Sequence, residues 1–116
     1  MKRIDFALIL LVLLSVLAAG AGCEKNANFY LHSGNAKYLA MKFKDALADY
    51  SQAIKLDSTL TEAYFERGRC YQQLKQYDMA RRDFNTVIHQ QPKSDMAKRA
   101  TRILEEISDL KDVKNP

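Results

Sequence analysis

The stretch RGRCYQQLKQYDMA, residues 67–80, has the composition of a helix yet carries Gly68 inside it and a lone cysteine, Cys70, beside Tyr71. Glycine in a helix interior costs roughly 1 kcal/mol relative to alanine, so something at that position requires the missing side chain. The reason lies 34 residues upstream. Displaced by that amount and without a gap, the chain sets Tyr30 against Tyr64, Gly34 against Gly68 and Ala36 against Cys70. The agreement runs on through Phe43 and Tyr77, Ala46 and Ala80, Asp49 and Asp83, Tyr50 and Phe84, Ala53 and Val87, and Ile54 and Ile88.

A 34-residue period with aromatic, glycine, aromatic, alanine, aromatic and proline in this order resembles the tetratricopeptide repeat family. The second copy carries Tyr64, Gly68, Tyr71, Leu74, Tyr77, Ala80, Phe84 and Pro92 on the family's spacing. The first keeps Tyr30, Gly34, Ala40, Phe43, Ala46, Tyr50, Ala53 and Leu56 but has Lys37 for the mid-helix aromatic and Ser58 for the closing proline. The resemblance implies an all-α solenoid of two helix-turn-helix repeats, residues 27–60 and 61–94, in which each glycine lets two helices approach closely. Gly34 and Gly68 are expected to face Ala46 and Ala80 across their pairs.

Helices are expected over Ala27–Met41, Phe43–Leu56, Leu60–Leu74, Tyr77–His89 and Asp95–Leu110. Thr59 and Glu62 have the spacing of a capping box opening the third, and Pro92 with Ser94 closes one helix and opens the next. Residues 95–116 break the repeat, because Lys98 and Arg102 stand where its aromatic and glycine belong. Met96, Ala100, Ile103, Ile107 and Leu110 instead recur at steps of four and three, the single apolar face of a capping helix. Its back should expose Lys98, Glu105, Asp109 and Lys111.

The N-terminal 22 residues have a different character. Lys2 and Arg3 precede an uncharged run from Phe6 to Ala19, about 14 residues and short of the roughly 20 needed to span a bilayer. Small residues then lead to Cys23. This is the pattern of a secretory signal, and Ala21-Gly22-Cys23 resembles a bacterial lipoprotein signal. That resemblance implies acylation of Cys23, with residues 23–26 as a short linker, and Glu24, in place of the aspartate that signals inner-membrane retention in bacteria resembling the enteric group, favours an outer-membrane location facing the periplasm. Gly20 departs from the leucine usual in that family. Cleavage after Ala19-Gly20-Ala21, releasing a soluble periplasmic protein, is therefore the alternative.

Of the 116 residues, those from Cys23 onward carry 16 basic and 13 acidic side chains, too even a balance to imply nucleic acid. The basic group Arg81, Arg82, Lys98, Arg99 and Arg102 is interleaved with Asp78, Asp83 and Asp95, as on a solvated face, with a membrane-facing patch as the other reading. His32 and His89 lack ligand spacing, Asp45 with Asp49 and Glu105 with Glu106 read as solvated helix carboxylates, and Cys70 as a buried, inert thiol. No catalytic set or cofactor site emerges, so the expected function is protein binding rather than catalysis.

The resemblance places a partner-binding groove on the first helix of each pair, lined by Asn28, Leu31, Asn35 and Tyr38 and by Glu62, Phe65, Arg69 and Gln72. Leu31 and Phe65 occupy no packing position of the repeat, which makes them the expected apolar hot spot. Some members of the family clamp a partner's terminal carboxylate with lysines and asparagines. This chain has Leu31, Glu66, Met96 and Ala100 at most of those positions and keeps only Asn35, so recognition of a chaperone tail is not expected. The expected role is a membrane-anchored adaptor for a protein or peptide in the bacterial envelope. The alternative is a structural subunit that self-associates into a homo-oligomer or joins a pilus or secretion assembly, since two repeats are fewer than usual.

Overall fold

The computed structural model describes residues 5–10 and 25–112. Residues 6–10 are helical and exposed. Cys23, the cleavage region and most of the apolar run lie outside the described residues, as do residues 113–116. Among the described residues no helix is long and apolar enough to cross a membrane.

Helices α1 (Ala27–Leu39) and α2 (Phe43–Leu56) form one pair, α3 (Thr61–Gln73) and α4 (Tyr77–Gln90) a second, and α5 (Asp95–Asp112) follows. Each packs chiefly on its neighbours in sequence, while α3 also touches α1 and α5. The odd-numbered helices therefore share one layer and the even-numbered ones the other, which is the expected α-solenoid of two repeats with a closing helix. In α2 the residues Phe43, Ala46, Leu47, Tyr50, Ala53 and Ile54 recur at helical spacing and pack into one cluster with Leu31, Ala63 and Cys70. In α4, Tyr77, Ala80, Phe84, Val87 and Ile88 join Phe65, Ala100 and Ile107 in a second.

Both intra-repeat turns are made the same way. Met41 and Lys75, one period apart, take left-handed φ values of 59° and 58°. The amide of Lys42 donates to Lys37 O at 2.9 Å and that of Gln76 to Tyr71 O at 2.8 Å, closing the helix ends in the manner of a Schellman motif.

The glycines are explained, though by a different neighbour from the one expected. A Cβ on Gly34 would lie 2.6 Å from Tyr50 Cε1, and one on Gly68 would lie 2.9 Å from Phe84 Cε1. The facing residue is the aromatic one turn beyond the small alanine, whose ring edge from Cδ1 to Cζ occupies the space that a side chain on the glycine would take. The capping box is also overturned. The third helix begins at Thr61 with Leu60 as its N-cap and no side-chain cap bond. Thr59 turns back instead, donating from its amide (2.9 Å) and hydroxyl (2.6 Å) to Asp57 Oδ1, bonds that hold the Asp57 carboxyl below its ordinary range. Ser94 does cap α5, accepting from the Ala97 amide at 3.0 Å.

On α5, Met96, Ala100, Ile103 and Ile107 pack onto the second cluster as expected. Leu110 does not, being exposed, since the helix extends past the end of α4 before that turn.

Candidate functional site

On the layer of odd-numbered helices a pocket is built from a repeat-to-repeat contact. Asn35, Tyr38 and Leu39 of α1 face Glu66 and Arg69 of α3 around a shallow pocket of about 240 Å³. The Arg69 guanidinium lies 4.6 Å from the centroid of the Tyr38 ring, while its Nη1 pairs with Glu66 Oε2 at 2.8 Å. The other side of Tyr38 meets Phe43 edge-on, with centroids 5.3 Å apart. Below them the Tyr50 hydroxyl donates to Asn35 Oδ1 at 2.8 Å, which fixes the amide and leaves its NH2 for another acceptor.

Burial dominates the electrostatics of this floor. It raises the Glu66 carboxyl above the ordinary value against the opposing pull of Arg69. It also pushes the Cys70 thiol up to about 12, with the nearby Glu66 charge adding to the effect. The Tyr50 phenol is raised in the same way, by burial first and Glu66 second. Cys70 is thus a buried free thiol that stays protonated, as expected.

Of the eight groove residues named from sequence, Asn35, Tyr38 and Arg69 line this pocket. Asn28 and Glu62 are exposed and Gln72 half-buried on the same two helices, outside the pocket itself. Leu31 and Phe65 are not a surface hot spot: they are 3% and 1% exposed. Leu31 lies in the first core cluster against Tyr50, Ala63 and Cys70. Phe65 meets the Phe84 ring of α4, with centroids 5.7 Å apart, although it occupies no packing position of the repeat. The reason is α5, which packs across the end of the second repeat and puts Arg99 over the outer face of Phe65 at 4.8 Å.

Leu39 and Glu66 join the site although sequence reasoning did not place them in the groove. The signal for Glu66 was available in its i,i+3 spacing to Arg69. A second arrangement escaped notice altogether. Arg67 makes a two-pronged pair with Asp83, Nε to Oδ2 and Nη2 to Oδ1 both at 2.8 Å, and its Nη1 donates to Ser51 Oγ at 3.2 Å, tying α3 to α4 and to α2. One period earlier Ser33 Oγ donates to Asp49 Oδ2 at 2.6 Å and Lys37 Nζ pairs with the same oxygen at 2.7 Å. Lys37, at the place of the repeat's aromatic, thus supplies to Asp49 the positive charge that Arg67 supplies to Asp83. Asp49 is correspondingly a half-buried partner rather than a solvated carboxylate, whereas Asp45, Glu105, Glu106, His32 and His89 are exposed. Among the described residues no group of three or more His, Cys, Asp or Glu side chains could hold a metal ion.

The family model for the tetratricopeptide repeat matches residues 40–105. Human DnaJ homolog subfamily C member 7 is 39% identical over 64 residues, 55% of this chain and 13% of that protein. Human tetratricopeptide repeat protein 6 is 32% identical over 72 residues, 61% of this chain and 13% of its own length. The chain therefore corresponds to a small part of these relatives. Among solved structures, the TPR domain of Arabidopsis OM64 superposes with a TM-score of 0.67 at 27% identity, covering 72% of this chain and 69% of that one. The second TPR domain of human RPAP3, solved in complex with the HSP70 peptide SGPTIEEVD, gives 0.65 at 29% identity over 72% and 67%.

Proposed function

The chain belongs to the tetratricopeptide repeat family, and from that premise we propose that it is an adaptor, anchored at Cys23 in a bacterial envelope membrane, that holds a protein or peptide segment against the layer of α1 and α3. The pocket shared by the two repeats carries this reading. It offers an exposed aliphatic side chain in Leu39, an aromatic face in Tyr38, a fixed amide in Asn35 and one ion pair, a mixture that suits a short segment with an apolar anchor and a hydrogen-bonding backbone.

The occupant differs in charge from the acidic HSP70 tail bound by the RPAP3 domain. Glu66 brings a carboxylate into the pocket, and Arg69 is already engaged with it. An uncharged or basic segment suits this floor, and a terminal acidic one is repelled.

Photocrosslinking in cells tests the reading. A crosslinker at Gln72 or Asn28 should give a discrete adduct that Arg69→Ala and Tyr38→Ala abolish at temperatures where circular dichroism shows the variants folded, a modest fall in melting temperature being expected because Tyr38 packs on Phe43. A crosslinker at Lys98, on the back of α5, should give none. Equal adducts from groove and back would sink the adaptor reading. Absence of acyl mass on Cys23 in the protein purified from membranes, by mass spectrometry, would sink the lipid anchor.

A further inference from the structure

Among the described residues, nothing covers one face of the first repeat. Phe29, His32, Ala36 and Leu39 recur along α1 at steps of three, four and three, and all four are exposed. One period later the same positions of α3 are Ala63, Glu66, Cys70 and Gln73, of which Ala63 and Cys70 are fully buried in the cluster that α2 builds, Glu66 is half-buried and Gln73 is exposed. At the places of Phe29 and Ala36, therefore, the second repeat lies against an apolar neighbour. Leu39 and the turn residue Met41 extend the stripe to an apolar tip, 83% and 75% exposed.

The charges around the face select the neighbour. From Lys25 to Lys44 the chain has four lysines, at 25, 37, 42 and 44, and no aspartate or glutamate. Lys37 is taken by Asp49. Lys25, which lies 4.9 Å over the Phe29 ring, and Lys42 with Lys44 are exposed and flank the two ends of the stripe. Glu24 and Asp45 bound this stretch in sequence, and Glu66, across the pocket from Leu39, is held by Arg69. The larger basic group on α4 and α5 is different, for there Arg81 and Lys98 pair with Asp78 and Asp95 and Arg99 lies on Phe65.

We propose that this face of α1, with the Leu39–Met41 tip, docks on an anionic lipid bilayer. Apolar side chains enter the acyl boundary while lysines at both ends stay at the headgroups, the arrangement of a helix lying in the interface plane. Each exposed lysine near such a surface raises the partition by about fivefold. A second copy is the poorer occupant, because pairing α1 with itself would bring two sets of lysines together without a counter-charge. The contact shares Leu39 with the groove but needs neither a bound segment nor acylation of Cys23, and because Lys42 and Lys44 lie outside the pocket, its failure would leave the adaptor reading standing.

The full chain carrying Cys23→Ser leaves Cys70 as the remaining natural thiol, and that one is buried. An environment-sensitive fluorophore is attached at Ala36→Cys or, as a control, at Lys98→Cys, and each protein is reconstituted into vesicles of phosphatidylcholine with or without phosphatidylglycerol. With the anionic lipid present, a lipid-borne quencher should reach the Ala36 label several-fold more strongly than the Lys98 label. Leu39→Glu with Met41→Glu, or Lys42→Glu with Lys44→Glu, should erase the difference while circular dichroism stays unchanged. Equal quenching of the two labels in both vesicle types overturns the proposal. So does crosslinking between Ala36→Cys thiols of two molecules, which would show a second copy on the face.

Discussion

Gly68 and Phe84 act as one unit. Because a Cβ at position 68 would meet the ring at 2.9 Å, and Phe84 is fully buried, neither can yield without moving a helix. Gly68→Leu should lower stability by about 1–3 kcal/mol, whereas Gln72→Leu, half-exposed on the same helix, should stay within about 0.5 kcal/mol. Equal melting temperatures would refute the packing account. Phe65→Ala belongs with the first class. It removes a buried ring from the second core and should cost about 3–5 kcal/mol, so any loss of partner binding would track the loss of fold. Cys70, protonated by burial at every ordinary pH, should resist alkylation until the chain unfolds globally. Labelling that outpaces unfolding would show a locally open first repeat.

Between elements, the Arg67–Asp83 pair is the strongest polar tie, since its side chains are 19% and 6% exposed. Asp83→Ala strands a guanidinium between three helices and should cost toward the lower end of about 3–5 kcal/mol, because Arg67 keeps some access to water. Arg67→Met combined with Asp83→Leu should be milder than Asp83→Ala alone. A double variant as unstable as the single one would mean that the pair contributes through its shape rather than its charge. In the first repeat the same role is divided between Ser33 and Lys37. Lys37→Ala should therefore destabilise less than Asp83→Ala, as Ser33 still satisfies Asp49.

At the scale of the molecule, two repeats are completed by α5, which supplies Ala100 and Ile107 to the second core. A chain ending at Lys93 uncovers Phe65 and should lose its cooperative melt by circular dichroism. Retention of a sharp transition would show that the repeats are self-sufficient. Glu66, at the junction of the repeats, gives the fold a pH signature. Burial raises its carboxyl, so ionising it costs the folded state stability, a penalty present above the folded value and absent once the pH falls below the ordinary carboxylate range, near about 4. Glu66→Gln keeps an acceptor for Arg69 and should melt higher than the parent at pH 7, with the two curves converging below about pH 4. A gap that persists in acid would assign the effect to packing.

The sequence by itself determined the period, the helix order and the glycines, because those follow from local spacing and from side chains that recur 34 residues apart. It also determined Cys70 as buried and α5 as a cap, since a change of apolar spacing is visible along one segment. What only the tertiary structure decided were contacts that no single period contains. Phe65 reads as a free groove residue until α5 is laid across it, and Leu31 until α3 is. Lys37 reads as a defect until Asp49 and Ser33 meet it from neighbouring helices. The α1 stripe reads as part of an ordinary repeat until Ala63 and Cys70, the counterparts on α3 of Phe29 and Ala36, are seen buried and its own face is seen open. Burial of a helix face is a property of its neighbour, and a sequence specifies the face long before it specifies what will cover it.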